Sequence, residues 1–167
     1  QGSGDVNGDG FDDIIIGTNN KNPGSIYLIF GRGAGLKNND SLANADVEFL
    51  QESQNGGKLW LGCIAGDLNK DGYDDILLGD HRFSSQNKTG RGKAYIFFGK
   101  SDGWKSKIDV KNCDASFIGE NSLDWAGWLN TGIGDINNDT FDDFLIGAYG
   151  YDTEEFEDSG KIYIIFG

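Results

Sequence analysis

This chain is poor in the residues that most enzyme active sites lean on. Of its 167 residues one is His (His81), two are Cys (Cys63 and Cys113) and none is Met. A single histidine gives little scope for His-based catalysis or a His-bound zinc. Two cysteines are too few for a disulfide framework and read as small buried apolar residues. Basic residues are scarce as well: 14 Lys and Arg stand against 27 Asp and Glu, a formal charge of −13. Nucleic-acid binding relies on Lys and Arg to neutralise phosphates, so that partner class is excluded. A protein that neutralises itself with cations fits the same balance. No apolar run approaches the roughly 18 residues a membrane helix needs, so the segment is expected to be soluble and not to insert in membranes. There is no signal-peptide pattern and no initiator Met, which points to a mature or excised piece of something longer.

What is present is enough chain for a real core. The 37% hydrophobic and 13% aromatic content is too high for a disordered acidic tail. Within it, "DVNGDGFDD" (residues 5–13) crowds four carboxylates and an Asn into nine positions, and nearly recurs as "DLNKDGYDD" (67–75) and "DINNDTFDD" (135–143). Such crowding suits an acidic turn, an active site or a cage for a cation. The runs "IYLIFG" (26–31), "AYIFFG" (94–99) and "IYIIFG" (162–167) repeat with the same order, their Phe residues at 30, 98 and 166, a period of 68.

The repeat unit parses into strands. Ile14–Ile16, Ile76–Leu78 and Phe144–Ile146 follow the acidic loops and end at Gly17, Gly79 and Gly147. Short, β-branched or aromatic, and Gly-bounded, they read as strands. The Phe-Gly runs are apolar on both alternating faces and should be covered on both sides. Further strands are expected at Val47–Leu50 and Ser116–Ile118, and before the loops at Leu59–Ala65 and Trp125–Thr131. Four short strands per unit with no helical periodicity predict an all-β fold of β-propeller blades, each a four-stranded antiparallel sheet. Blade one spans 1–52 and lacks its first strand, blade two spans 57–120, and blade three spans 123–167 and lacks its last. Three blades are fewer than the four or more that close a propeller. The exposed faces call for further blades of the same chain or another copy to cover them.

In the first loop, oxygens at positions one, three and five (Asp5, Asn7, Asp9) alternate, so a curled loop can aim all three inward. Gly10 at position six permits the sharp turn, Phe11 offers a backbone carbonyl, and Asp13 closes the set at position nine. An all-oxygen set of carboxylate, amide and carbonyl is the preference of Ca²⁺; Mg²⁺ takes fewer protein ligands, and zinc wants Cys or His. An EF-hand is excluded because its position-twelve Glu is replaced by Ile16, Leu78 or Ile146, and because strands flank the loop.

Together, Gly-Asp-x-Asn-x-Asp-Gly-aromatic-x-Asp followed by a β-run, and then Gly-Lys-x-Tyr-x-x-Phe-Gly, resemble the FG-GAP repeats of integrin α-subunit β-propellers and their bacterial relatives. The resemblance covers nearly the whole chain and implies three Ca²⁺ sites in the loops between the first and second strands of the blades. Carried over by position, the ligands are Asp5, Asn7, Asp9 and Asp13; Asp67, Asn69, Asp71 and Asp75; and Asp135, Asn137, Asp139 and Asp143. The carbonyls of Phe11, Tyr73 and Phe141 complete the sets. Thr140 stands where position six should be Gly, at a cost on the order of 1 kcal/mol, so the third site is expected to be the weakest. "GTN", "GDH" and "GAY" replace the family's Gly-Ala-Pro. The extra Asp at position eight (Asp12, Asp74, Asp142) either supports the ligands from behind or faces solvent.

On the opposite face would lie the loops 18–23, 80–91 and 148–159, the second basic (Arg82, Lys88, Arg91) and the third acidic (Asp152, Glu154, Glu155). They are expected to be solvated, or to contact one another or a neighbouring copy. Trp60, Trp104, Trp125 and Trp128 read as blade packing rather than a sugar platform, with exposure left open for Trp104 amid "KSDGWKSK". Sequons stand at Asn39, Asn87 and Asn138, the last inside a cation loop. The expected function is non-catalytic: a calcium-stabilised, extracellular or cell-surface propeller segment for adhesion, protein–protein interaction or assembly. Its partners would be a protein or further blades, with glycan a further ligand class. The alternative is an accessory propeller of a secreted enzyme, binding polysaccharide or lipid substrate.

Overall fold

A computed structural model of the chain describes residues 3–18, 24–35, 41–52 and 57–167. The sequon at Asn39 and most of the 18–23 loop lie outside the described residues. Three sheets follow one another along the chain. The first holds β1 (Ser3–Gly4), β2 (Asp13–Thr18), β3 (Ser25–Ile29) and β4 (Val47–Leu50). The second begins with β5 (Leu61–Gly66), β6 (Asp75–Asp80) and β7 (Lys93–Phe97). The connection that follows carries β8 (Lys107–Asp109), which returns to the edge of the first sheet, before β9 (Ala115–Ile118) completes the second. The third holds β10 (Ala126–Gly134), β11 (Asp143–Ala148) and β12 (Lys161–Ile165).

Pairing within each sheet is antiparallel and sequential, in the same register each time. Ile16 faces Tyr27, Leu78 faces Tyr95, and Ile146 faces Tyr163. The exception is β8, which runs parallel to β4 with Glu48 opposite Lys107; the two side chains pair at 3.3 Å. Three residues reading Lys-Ile-Asp carry no periodic signal, so this strand is invisible in the sequence. The strands before the acidic loops begin later than expected, at Leu61 and Ala126, and reach further towards the loops than their apolar pattern suggests. β5 and β10 extend to Gly66 and Gly134 through register shifts at Ile64/Gly66 and Gly132/Gly134. A bulge keeps the ladder going past a glycine that no propensity argument would place in a strand.

Alternation along the strands of the middle sheet builds two cores. Ile76, Leu78, Tyr95 and Phe97 face the first sheet, where they meet Ile26, Leu28 and Phe49. Leu77, Ala94 and Ile96 face the third sheet, where they meet Phe144, Ile146 and Ala148. A period of two with both faces covered explains why the strands look apolar throughout. The sheets approach to backbone contact where glycines align: a Cβ at Gly79 would lie 2.0 Å from Gly127 O, and one at Gly132 would lie 2.2 Å from Ala65 O.

Trp104 packs, as the other tryptophans do. It is half-buried against the first core, edge-on to Phe30 at 6.1 Å, with Nε1–H donating to Lys100 O. Cys63 is buried, Cys113 partly so, and neither forms a disulfide.

Candidate metal centres

The three acidic loops adopt one shape, held by their own side chains. In the first, Asp5 accepts the backbone N–H groups of Gly8, Asp9 and Gly10 at 2.7–3.1 Å. Asn7 Oδ1 accepts Asp9 N–H and Asp9 Oδ1 accepts Phe11 N–H, both at 2.9 Å. Asn7 Nδ2 donates to Asp9 Oδ2 at 3.1 Å. Asp67, Asn69 and Asp71 make five of these six bonds in the second loop, all but that from the position-four N–H. So do Asp135, Asn137 and Asp139 in the third. Side chains two residues apart bonding back onto the backbone are what coil a nine-residue stretch round a point.

Two loop positions need a left-handed backbone. Position six is Gly10 (φ 85°), Gly72 (φ 91°) and Thr140 (φ 81°), so threonine takes the glycine conformation rather than reshaping the third loop. Position four is left-handed too, at Gly8, Lys70 and Asn138.

Positions one, three and five bond within their own loop, and each position-nine carboxylate accepts two backbone N–H groups. Asp13 is fully buried, with one carboxylate oxygen accepting Val6 N–H at 2.9 Å and the other Gly31 N–H at 2.8 Å. Asp75 takes Leu68 and Gly99 likewise, and Asp143 takes Ile136 and Gly167. Each position-nine Asp thus ties the start of its loop to the glycine that ends the Phe-Gly strand. Among the described residues no group of three or more His, Cys, Asp or Glu side chains closes round a metal-sized point. A cation held in such a loop would need the Asn amide and a backbone carbonyl as well.

The electrostatics nevertheless favour a cation. Burial, with the nearby charges of Asp5 and Asp9, pushes the Asp13 carboxyl up to about 6, although two backbone N–H groups pull the other way. Asp75 rises to about 7 for the same reason, with Asp71 and Asp67 adding to burial. Hard oxygen donors carrying uncompensated negative charge suit a divalent ion such as Ca²⁺.

Position eight, unresolved in the sequence, has a definite role. Asp74 Oδ2 accepts the N–H of Asp5 at 2.8 Å, and Asp74 N–H donates to Asp5 O at 3.1 Å. Asp142 does the same to Asp67, at 3.0 and 3.2 Å. It joins one repeat to the loop of the preceding one. The recurrence of Asp in all three copies was the available signal, since positions four and six vary.

Away from the loops, Trp60, His81, Trp128, Trp125 and Tyr149 form a chain of ring contacts with centroids 4.5–5.9 Å apart. His81 is buried there, and burial, with Arg82 and Lys58 nearby, lowers its pKa to about 4. A cavity of about 540 Å³ opens beside Trp128, Leu129 and Tyr149. Lys88 donates to Glu120 O, and Arg91 to Gly119 O and the side chains of Ser85 and Gln86, partners that lie outside the acidic loop. Asn87 sits in a tight turn with positive φ, and Asn138 within the third acidic loop. No helix of the described residues is long and apolar enough to cross a membrane.

The model of the FG-GAP-like repeat matches residues 5–78, and that of the FG-GAP repeat matches 64–97 and 127–165. The chain is similar to human integrin alpha-8, 30% identical over 159 residues and 87% of the chain. It is similar to human phosphatidylinositol-glycan-specific phospholipase D, 28% identical over 153 residues, and to human integrin alpha-IIb, 28% identical over 158. It spans 14%, 18% and 14% of the lengths of these relatives.

Proposed function

The chain belongs to the FG-GAP repeat family, and from that premise we propose that it is a calcium-binding, non-catalytic β-propeller segment of an extracellular or cell-surface protein, serving adhesion, protein–protein interaction or assembly. Its blades are residues 1–52, 57–120 and 123–167. One Ca²⁺ is held by Asp5, Asn7, Asp9, the Phe11 carbonyl and Asp13. A second is held by Asp67, Asn69, Asp71, the Tyr73 carbonyl and Asp75, and a third by Asp135, Asn137, Asp139, the Phe141 carbonyl and Asp143. Bound there, each ion offsets crowded carboxylate charge and fixes the loop between two strands; three dications bring the formal charge from −13 to −7.

The observation that carries this reading is the threefold loop, which keeps its curl even where Thr140 must adopt φ 81°. Each loop also leaves lone pairs on its Asp and Asn oxygens beyond those its N–H bonds use. The catalytic alternative is disfavoured by the placement of the single histidine, which is buried between Trp60 and Trp128. Isothermal titration with Ca²⁺ is expected to give three sites per chain, the third weakest; absence of binding at millimolar Ca²⁺ contradicts the reading.

One observation supports a second reading, an accessory propeller that binds polysaccharide or lipid for an enzyme. Trp128 and Tyr149 line the cavity on the side away from the acidic loops, and ring faces of this kind stack on sugars. One relative is itself a phospholipase by name. Quenching of tryptophan fluorescence by oligosaccharides or lipid headgroups is its test, and an unchanged spectrum removes it.

A further inference from the structure

The three acidic loops are tied to one another in a row. Asp74, between Tyr73 and Asp75 of the second loop, holds both main-chain groups of Asp5. Its Oδ2 accepts Asp5 N–H at 2.8 Å, and its own N–H donates to Asp5 O at 3.1 Å. Asp142, between Phe141 and Asp143 of the third loop, holds Asp67 in the same way at 3.0 and 3.2 Å. Asp5 and Asp67 carry the position-one carboxylates that curl their own loops. The later repeat therefore sets the backbone from which the earlier loop's first oxygen donor projects.

A second route joins the first two loops. Asp75 accepts Gly99 N–H at 2.8 Å, the next N–H, of Lys100, donates to Val6 O at 2.9 Å, and Val6 N–H donates to Asp13 at 2.9 Å. The position-nine carboxylate of the second loop is thereby linked to that of the first. Side chains reinforce both junctions. Tyr73 lies against Gly8, where a Cβ would be 2.5 Å from its ring, and the Lys70 ammonium stands 5.6 Å from the centre of the Phe141 ring. Asp12 holds the same position in the first repeat, but among the described residues its carboxylate bonds only Ser3 Oγ, in its own repeat.

We propose that Asp74 and Asp142 are positioning residues that couple cation binding in neighbouring loops, so that a divalent ion in the second loop raises the affinity of the first and the third. The inference rests on the calcium reading above and names the regulation of those sites. Closing a loop on an ion orders positions seven to nine, and with them the position-eight residue they enclose. The Asp backbone it bonds is then already placed, and the neighbouring loop has less conformational freedom to give up. Linkage makes the effect reciprocal: an ion in the first loop strengthens the second by the same factor. Charge alone acts with the opposite sign. A dication held nearby repels the next, whereas an empty neighbouring loop keeps its carboxylates and attracts it. The sign of the coupling separates the two causes.

The position-six amides report each loop separately, because the N–H groups of Gly10, Gly72 and Thr140 each donate to their own position-one carboxylate at 2.8 Å. The experiment follows their signals in nitrogen–proton correlation spectra as Ca²⁺ is added to the chain. Asp71→Ala removes an oxygen donor from the exposed second loop. It is expected to raise the Ca²⁺ concentration that half-saturates Gly10 and Thr140 by about fivefold or more. Adding Asp74→Ala should shrink that effect at Gly10 and leave it at Thr140. Asp74→Asn, which keeps an acceptor for the Asp5 N–H, should restore it. Should Asp74→Ala not fold, Asp142→Ala inverts the comparison, with coupling lost at Thr140 and kept at Gly10. Asp12→Ala should leave all three half-saturation points at their wild-type values. Gly10 and Thr140 signals that titrate in Asp71→Ala as in the wild type, or at lower Ca²⁺, overturn the coupling and leave calcium binding standing. A shift at Gly10 that Asp74→Ala leaves intact overturns the assigned route. Signals that do not move at millimolar Ca²⁺ overturn both the coupling and the calcium reading.

Discussion

At the scale of the residue, aspartates at neighbouring loop positions do different work. Positions one and five curl the loop, position nine ties it to the Phe-Gly glycine, and position eight binds the preceding repeat. Asp74→Ala should therefore destabilise the fold by about 1–3 kcal/mol, the value of a hydrogen bond to a charged group. Asp12→Ala, with only a surface bond from Ser3 to lose, should stay within about 0.5 kcal/mol when the chain is unfolded in urea. Equal costs for the two would remove the proposed role of position eight. The sequence shows Asp at this position three times but not its partner, because the bonded residues are 69 and 75 positions apart. His81 gives a pH signature. Its pKa falls from 6.5 to about 4 on folding, so the unfolded chain binds the proton more readily. Its contribution is complete above pH 6.5 and is lost as pH falls towards 4. Between pH 7 and pH 5 the loss is about 2 kcal/mol. Urea midpoints of the wild type should drop more over that interval than those of His81→Phe, and parallel profiles would refute the assignment.

At the scale of the element, strands that alternate or carry continuous apolar runs were readable, and those defined by tertiary contact were not. The Phe-Gly strands and those after the acidic loops fall where their apolar runs place them. β2, β6 and β11 nevertheless run one residue past Gly17, Gly79 and Gly147, the glycines expected to end them. β8 escapes because its stability comes from pairing with β4 and from the Lys107–Glu48 ion pair, neither of which leaves a local pattern. The loop-side ends of β5 and β10, at Gly66 and Gly134, escape because glycine at a bulge looks like a strand end. Close backbone approach was equally silent in the sequence. Since a Cβ at Gly132 would meet Ala65 O at 2.2 Å, Gly132→Ala should force the second and third sheets apart, at a cost of about 1–3 kcal/mol. Gly147 offers a comparison within the same sheet, because a Cβ there meets nothing closer than 3.4 Å. Thermal unfolding of the two alanine variants should show the larger loss at Gly132.

At the scale of the whole molecule, the chain is three sheets joined by two cores and by loops dense in negative charge. The loops and their threefold spacing were legible because the chemistry is local, nine residues carrying their own donors and turns. The direction taken by the position-nine carboxylates was not, because the glycine N–H groups they bond come from the far end of another strand. The central claim is that Ca²⁺ completes these loops and so holds the sheets in their folded form. A ligand that binds only the folded state stabilises it by about 2.7 kcal/mol per site at a concentration one hundred times its Kd. The direct test is calorimetric unfolding of the chain in excess EDTA and in millimolar Ca²⁺. The account predicts a transition several degrees higher with Ca²⁺, and the same transition under both conditions would contradict it.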